Sequence, residues 1–237
     1  MLDYSYYHPN THFHTLQTNV KNQIEYLIFQ SMLLFVRILP KVIIPAIGSS
    51  FGMMIYYLGI RRRVVNLNLT IAFGKDISDT DRKKLCKRTY RNYGIVLFEV
   101  LLLRFIRSEK LHDYIEIEGL DKLETAIKEG KGVVLAGNHF GNWELISAAI
   151  STMGSPIHIY AGQQRNDLFD DALNGIRHRF GTVTISKSKA ATIEMMKALK
   201  NNQVLGMAGD LNVPHNKLFV DFFGRKAAIG RGLASFT

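Results

Sequence analysis

The chain of 237 residues holds a single cysteine, Cys86. An internal disulfide and a cysteine-based zinc site are thereby excluded, and such usage suits a reducing, cytoplasm-facing enzyme. No segment repeats and no long low-complexity linker divides the chain. Also missing are an RNA-binding aromatic signature, zinc-finger spacing and basic-zipper heptads, so nucleic acid is not the expected partner despite a formal charge of +10. A secretory signal is absent as well. The N-terminus "MLDYSYYHPNTHFHTLQTNVK" is polar and aromatic, and the first hydrophobic stretch, "YLIFQSMLLFVRILP", carries Arg37.

The positive charge is local. Arg61 to Arg91 contains ten Lys/Arg against three acids, Asp76, Asp79 and Asp81. A face of that kind suits anionic lipid headgroups or an acidic protein partner. Just before it lies "VIIPAIGSSFGMMIYYLGI", Val42 to Ile60, nineteen residues without a charge, followed at once by "RRR". That length just spans a bilayer, and the arginines would hold the downstream side in the cytoplasm. The alternatives are a monotopic attachment and a buried or interfacial helical hairpin broken by Pro40, Pro45 and Gly48. The chain length fits one α/β domain plus an anchor. The expected division is a polar segment over residues 1–23, a hydrophobic membrane anchor over 24–63 and a catalytic domain over 64–237.

Ser78 with Asp81 three residues on reads as a capping box that opens a helix through "DRKKLCKRTYRNYGIVLFEVLLLRFI", basic in its first half and apolar in its second. This helix would lie on a membrane or pack under the domain. After "YIEIEGL" strands and helices alternate. Strands are predicted at "GVVLAG", "IHIYA", "VTIS", "VLGMAG" and "LFVDFF", and helices at "DKLETAIKEG", "WELISAAISTM", "LFDDALNGIRHRF" and "ATIEMMKALKNN". The fold class expected is α/β, a mostly parallel mixed sheet flanked by helices, with an N-terminal hydrophobic helical anchor. Polar groups just past the strands of such a sheet gather at its carboxyl edge, where ligands bind. His139 and Asp210 fall there, after "VVLAG" and "VLGMAG".

The stretch "AGNHFGNWELIS" sets His139 and Glu144 five positions apart. On a straight helix they would lie roughly 140° apart, so a turn is required for them to meet. Gly141 and Asn142 supply it, with His139 at the strand end and Trp143 and Glu144 opening the next helix. The Glu144 carboxylate is then expected to fix the imidazole tautomer while the other ring nitrogen takes a proton. No serine or cysteine is paired with His139 in sequence, so the dyad reads as a general base acting on a bound hydroxyl. A purely stabilising bond is the alternative. A metal site is disfavoured, since a second histidine at helical spacing is lacking.

"GVVLAGNHFGNWELISAAI" resembles the His-x4-Asp/Glu block of glycerolipid acyltransferases, and its "NHFGNWE" form is similar to the late acyltransferases of bacterial lipid A biosynthesis, the lauroyl/myristoyl transferase family. The resemblance extends over "YYLGIRRRVVNLNLTIAFG", "NDLFDDALNGIRHRFG", "MKALKNNQVLGMAGDLN" and "FVDFFG". It implies a glycerolipid acyltransferase-like fold and transfer of a fatty acyl chain from a thioester, on acyl carrier protein or CoA, to a hydroxyl of a membrane glycolipid, most simply a lipid A precursor. No cofactor is implied beyond that acyl co-substrate, and no metal. The partners are an acidic acyl carrier protein, the glycolipid acceptor and the membrane surface. The place is the bacterial inner membrane, with the catalytic domain facing the cytoplasm.

By the same resemblance His139 is the base and Glu144 its partner. Arg177 holds the acceptor's phosphate or glycan end, as a guanidinium does well. Asp210 is a further functional position, with a turn cap as its alternative, and Asn138 and Arg179 join the substrate contacts, Arg179 on a different helix face from Arg177 and open also to a surface role. Two departures bear on the acceptor. Asp221 in "VDFFG" stands where the family usually has proline, and "AAIGRGLASFT" lacks the threonine commonly seen after the alanines. The chain stops at Thr237 within a segment that the family continues past. Other acceptors, a phosphatidylinositol mannoside or a lysophospholipid, stay open, as does a catalytically silent lipid-binding protein.

Overall fold

The computed structural model describes residues 10–211 and 217–236. Part of the polar segment expected over residues 1–23 therefore lies outside the described residues. The first helix, α1 (Asn10–Ile38), ends two residues before Pro40, whose ring cannot continue it. Its inner face carries Phe29, Leu33 and Val36 into the main core. There they meet Phe98, Leu101, Ala148 and Ile176 from three later helices. Full burial of a side chain such as Leu101 contributes about 1.5–3 kcal/mol. The opposite face of α1 presents Val20, Ile24, Leu27, Leu34 and Ile38 to the exterior.

The Val42 to Ile60 stretch is not one span. It forms α2 (Ile44–Tyr57), after which the chain bends by 95° into α3 (Arg62–Phe73). No single described helix is long and apolar enough to cross a membrane. Of the three expected breakers only Pro40 stands at a break. Pro45 sits in the first turn of α2, where its missing N–H is harmless, and Gly48 lies inside the helix. Gly48 and Gly52 instead let α2 lie backbone to backbone on α4 (Asp79–Leu103). A Cβ on Gly52 would come within 2.0 Å of the Tyr90 carbonyl oxygen, and one on Gly94 within 2.0 Å of that of Gly48. This is the spacing of small residues by which helices reach close contact. The start of α4 is as predicted, since Ser78 Oγ accepts from the Asp81 N–H at 3.0 Å.

Downstream come α5 (Leu120–Lys128), β1 (Val133–Gly137), α6 (Trp143–Thr152), β2 (Ile157–Ala161), α7 (Asp167–Arg179), β3 (Val183–Ser186), α8 (Ala191–Lys200) and β4 (Val204–Ala208). The four strands form one wholly parallel sheet in the order β1-β4-β2-β3. Alternation along β4 supplies both faces. Val204 joins Ile157 and Ile150 beside α5 and α6, whereas Leu205 joins Ile185, Ala191 and Met195 beside α8.

The strand predicted at "LFVDFF" exists as β5 (Lys217–Phe222), but it stands outside this sheet. It pairs antiparallel with β6 (Arg225–Gly230), which the sequence pattern did not reveal. Phe223 and Gly224 between them both have positive φ, 51° and 67°, the backbone of a tight two-residue hairpin turn. A short helix, α9 (Gly232–Phe236), follows.

Candidate active site

Because β1 and β4 are neighbours in register, with Gly137 opposite Ala208, the two loops that leave them emerge side by side. His139 and Asp210 each lie two residues beyond that last pair. Asp210 Oδ2 accepts from the His139 main-chain N–H, and Oδ1 faces the imidazole Nδ1, both at 2.8 Å. Both side chains are about one-third exposed, at 35% and 32%. Burial alone would push the Asp210 carboxyl up. The hydrogen bonds from His139 and from its own backbone, with the charge of His139, outweigh that and hold it below the usual carboxylate value. A carboxylate only accepts, so Nδ1 carries the hydrogen of this contact, which leaves Nε2 as the ring nitrogen not engaged by Asp210. The Trp143 ring meets the imidazole edge on, at 5.3 Å between centroids.

The turn expected at Gly141 and Asn142 is present. Gly141 has φ +64°, and Asn142 caps α6 by accepting from the Leu145 N–H at 3.0 Å. The Asn142 amide also donates to Glu99 of α4 at 3.1 Å, which ties the loop to the helix layer.

The expected pairing of Glu144 with His139 is corrected by the structure. Glu144 turns inward, 6% exposed, and takes two hydrogen bonds from Arg177, from Nε at 2.8 Å and Nη2 at 2.6 Å. Arg177 Nη1 donates to Asn174 at 3.1 Å, and Asn174 accepts also from Thr184 Oγ1. A buried guanidinium needs this fork of partners, and the pair leaves little of it for an acceptor. Arg177 is 8% exposed, and its pairing with Glu144 ties α6 to α7.

Arg179, which the structure places on the exterior, donates to the Ile106 carbonyl at 3.2 Å, while Ser108 donates to the Arg179 carbonyl. Those bonds fasten the end of α7 to the connection after α4. The Asn138 carbonyl accepts from the Phe140 N–H at 2.8 Å and so shapes the loop that presents His139. The structure thus brings His139 and Asp210 together, joins Glu144 and Arg177 in a second pair, and bonds Arg179 to the connection after α4. Asn174 and Glu99 were not anticipated. Glu99 acts over a fold contact that no local spacing announces, whereas Asn174 stands three residues before Arg177 on α7. Exposed apolar residues follow both loops: Phe140 next to His139, Trp143 and Ile146 at the start of α6, and Leu211 next to Asp210.

Comparison with known proteins gives relatives in sequence. The chain is 24% identical over 192 residues to the lipid A biosynthesis lauroyltransferase of Escherichia coli (strain K12), covering 80% of this chain and 61% of that relative. It is 24% identical over 173 residues to the palmitoleoyltransferase of the same organism, covering 73% and 55%. Against the phosphatidylinositol mannoside acyltransferase of Mycobacterium tuberculosis (strain ATCC 25618 / H37Rv) the identity is 26% over 148 residues, covering 60% and 47%. The chain therefore spans about half to three fifths of the length of these curated relatives. The sequence family described as bacterial lipid A biosynthesis acyltransferase matches over residues 11–236. Since that match runs from α1 to α9 and takes in every element that builds the site, the chain belongs to the bacterial lipid A biosynthesis acyltransferase family.

Proposed function

We propose that this protein is an acyltransferase that moves a fatty acyl chain from a thioester, on acyl carrier protein or CoA, to a hydroxyl of a membrane glycolipid, a lipid A precursor. The observation that carries the reading is the His139–Asp210 pair at the carboxyl edge of the sheet, with one ring nitrogen held and the other free. Nε2 takes the proton from the acceptor hydroxyl as its oxygen attacks the thioester carbonyl carbon. The resulting tetrahedral species expels the thiolate, and the imidazolium returns the proton to that sulfur. Asp210 keeps the tautomer and stabilises the imidazolium, and the Glu144–Arg177 pair holds α6, and so the loop before it, against α7. The exposed apolar residues beside His139 offer a surface for an acyl chain.

Membrane attachment at the inner membrane, with the site facing the cytoplasm, is part of the same reading. What supports it is the outer face of α1, an apolar row of roughly 27 Å from Val20 to Ile38 at a 1.5 Å rise per residue. The basic stretch Arg61 to Arg91 suits an anionic partner, a lipid headgroup at the membrane surface or an acidic carrier protein. A phosphatidylinositol mannoside is the second acceptor, favoured by the likeness to the mycobacterial enzyme.

The test is transfer of a labelled acyl chain from its carrier protein to extracted glycolipids. A labelled lipid A precursor is the expected product. A labelled mannoside would move the protein to the second acceptor, and retention of glycolipid without product would make it a silent binder.

A further inference from the structure

Away from the catalytic loops, a cavity of about 560 Å³ opens where the end of α2, the start of α3 and the first half of α4 meet. Its wall is cationic. Arg62, Arg82, Lys83 and Lys87 line it, with Tyr56 between them and Asn66 at its side. Asp79 neutralises Arg82 by an ion pair and is the one acid in the lining. Three cations are left converging on one space. Tyr56, only 5% exposed, fixes two of them, since the Arg62 guanidinium and the Lys87 ammonium stand 5.4 and 5.7 Å from its ring centroid. The Tyr90 hydroxyl donates to the Ile60 carbonyl, which pins the α2–α3 corner over the cavity.

Like charges gathered this way repel, and an anion among them would relieve that repulsion. The corner beside it is apolar and exposed, through Tyr57, Leu58 and Ile60. A recess rimmed by apolar side chains suits a small anionic group borne on an amphiphile, whereas a folded acidic protein presents its carboxylates on a convex surface. We propose that this cavity binds the phosphate headgroup of an anionic membrane lipid, with the acyl chains leaving over the Tyr57–Ile60 corner. It is a site apart from the chemistry. Lys87 and Glu99, which touches the active-site loop, are separated by about 18 Å along α4 at 1.5 Å per residue.

The inference builds on membrane attachment but is separable from it, because α1 supplies apolar contact and this cavity supplies selectivity for charge. The full chain is mixed with phosphatidylcholine vesicles, with and without phosphatidylglycerol, and the bound fraction is measured by co-sedimentation. Phosphatidylglycerol should strengthen binding of the native protein. Arg62→Gln/Lys83→Gln/Lys87→Gln should lower that gain at least tenfold, the combined worth of three cations at an anionic surface. A charge-matched control, Lys122→Gln/Lys128→Gln/Lys131→Gln, should keep most of it, with circular dichroism showing both variants folded.

An equal loss in the two variants would reduce the effect to net charge and overturn the site. Displacement of phosphatidylglycerol vesicles by inorganic phosphate at low concentration would reassign the cavity to free anions. Binding of acidic acyl carrier protein that the cavity variant loses, with vesicle binding intact, would reassign it to that protein. Native protein that binds neutral vesicles without any phosphatidylglycerol gain refutes the cavity site alone. Failure to bind either vesicle refutes membrane attachment itself.

Discussion

Asp210 holds His139 at two atoms, the ring Nδ1 and the main-chain N–H, each at 2.8 Å. A histidine fixed in both place and tautomer is ready to accept a proton without reorganising. His139→Ala should lower turnover by roughly 10² to 10⁴, the usual worth of a positioned base. Asp210→Asn should come close, since an amide can hold the ring but cannot stabilise the imidazolium. The double variant should resemble the worse single one. Steady-state acyl transfer measures all three, and a folded His139→Ala protein with near-native turnover removes the base from the mechanism.

Glu144 and Arg177 answer to a different assay. Removing one partner leaves the other charged and buried, which costs about 3–5 kcal/mol. Glu144→Gln and Arg177→Ala should therefore shift denaturant unfolding by amounts in that range, while Glu144→Leu/Arg177→Leu should recover much of the loss. A normal unfolding midpoint in Arg177→Ala, together with a raised KM for the acceptor, would return Arg177 to the direct phosphate contact expected from the sequence.

The lowered carboxyl of Asp210 has a signed consequence for stability. A group depressed in the folded state favours folding above its unfolded value, 3.8 here, and that contribution disappears as pH falls through the lower folded value. Thermal melts from neutral pH into acid should show a steeper decline for the native protein than for Asp210→Asn. Parallel acid limbs would mean that the bond to His139 does not bias the titration.

On α1 the two faces should separate cleanly. Leu27→Ser with Leu34→Ser should reduce the membrane-pelleted fraction while shifting stability by only about 0.5 kcal/mol each, as exposed positions do. Phe29→Ala, on the inner face against Phe169, should cost about 3–5 kcal/mol. Double serine variants that pellet like the native chain would place the membrane contact on another surface.

The alternating half of the chain was legible because short apolar runs ending in glycine and amphipathic helices of ten to thirteen residues are local patterns. The capping serine and the turn at Gly141 were legible for the same reason. The partners of His139 and Glu144 were not. His139 and Asp210 are 71 positions apart and meet only because β4 inserts beside β1, while Glu144 reaches across to Arg177, 33 positions on. A carboxylate five residues from a histidine looks local, and strand order overrides it. Strand β6, "RKAAIG", has only one of the bulky β-branched residues that mark a strand, Ile229, and was hidden for that reason.

Gly48, read in sequence as a breaker, closes a seam in which main chain lies on main chain. Such a contact holds no rotamers that could shift to absorb a displacement. Partial separation would strand Gly52 and Gly94 in a gap too narrow for water and too wide for attraction, so intermediate spacings are disfavoured. The pair of helices is accordingly either shut or fully apart. Amide protons across residues 44–57 and 79–103 should then exchange with deuterium together, as one block rather than fraying helix by helix.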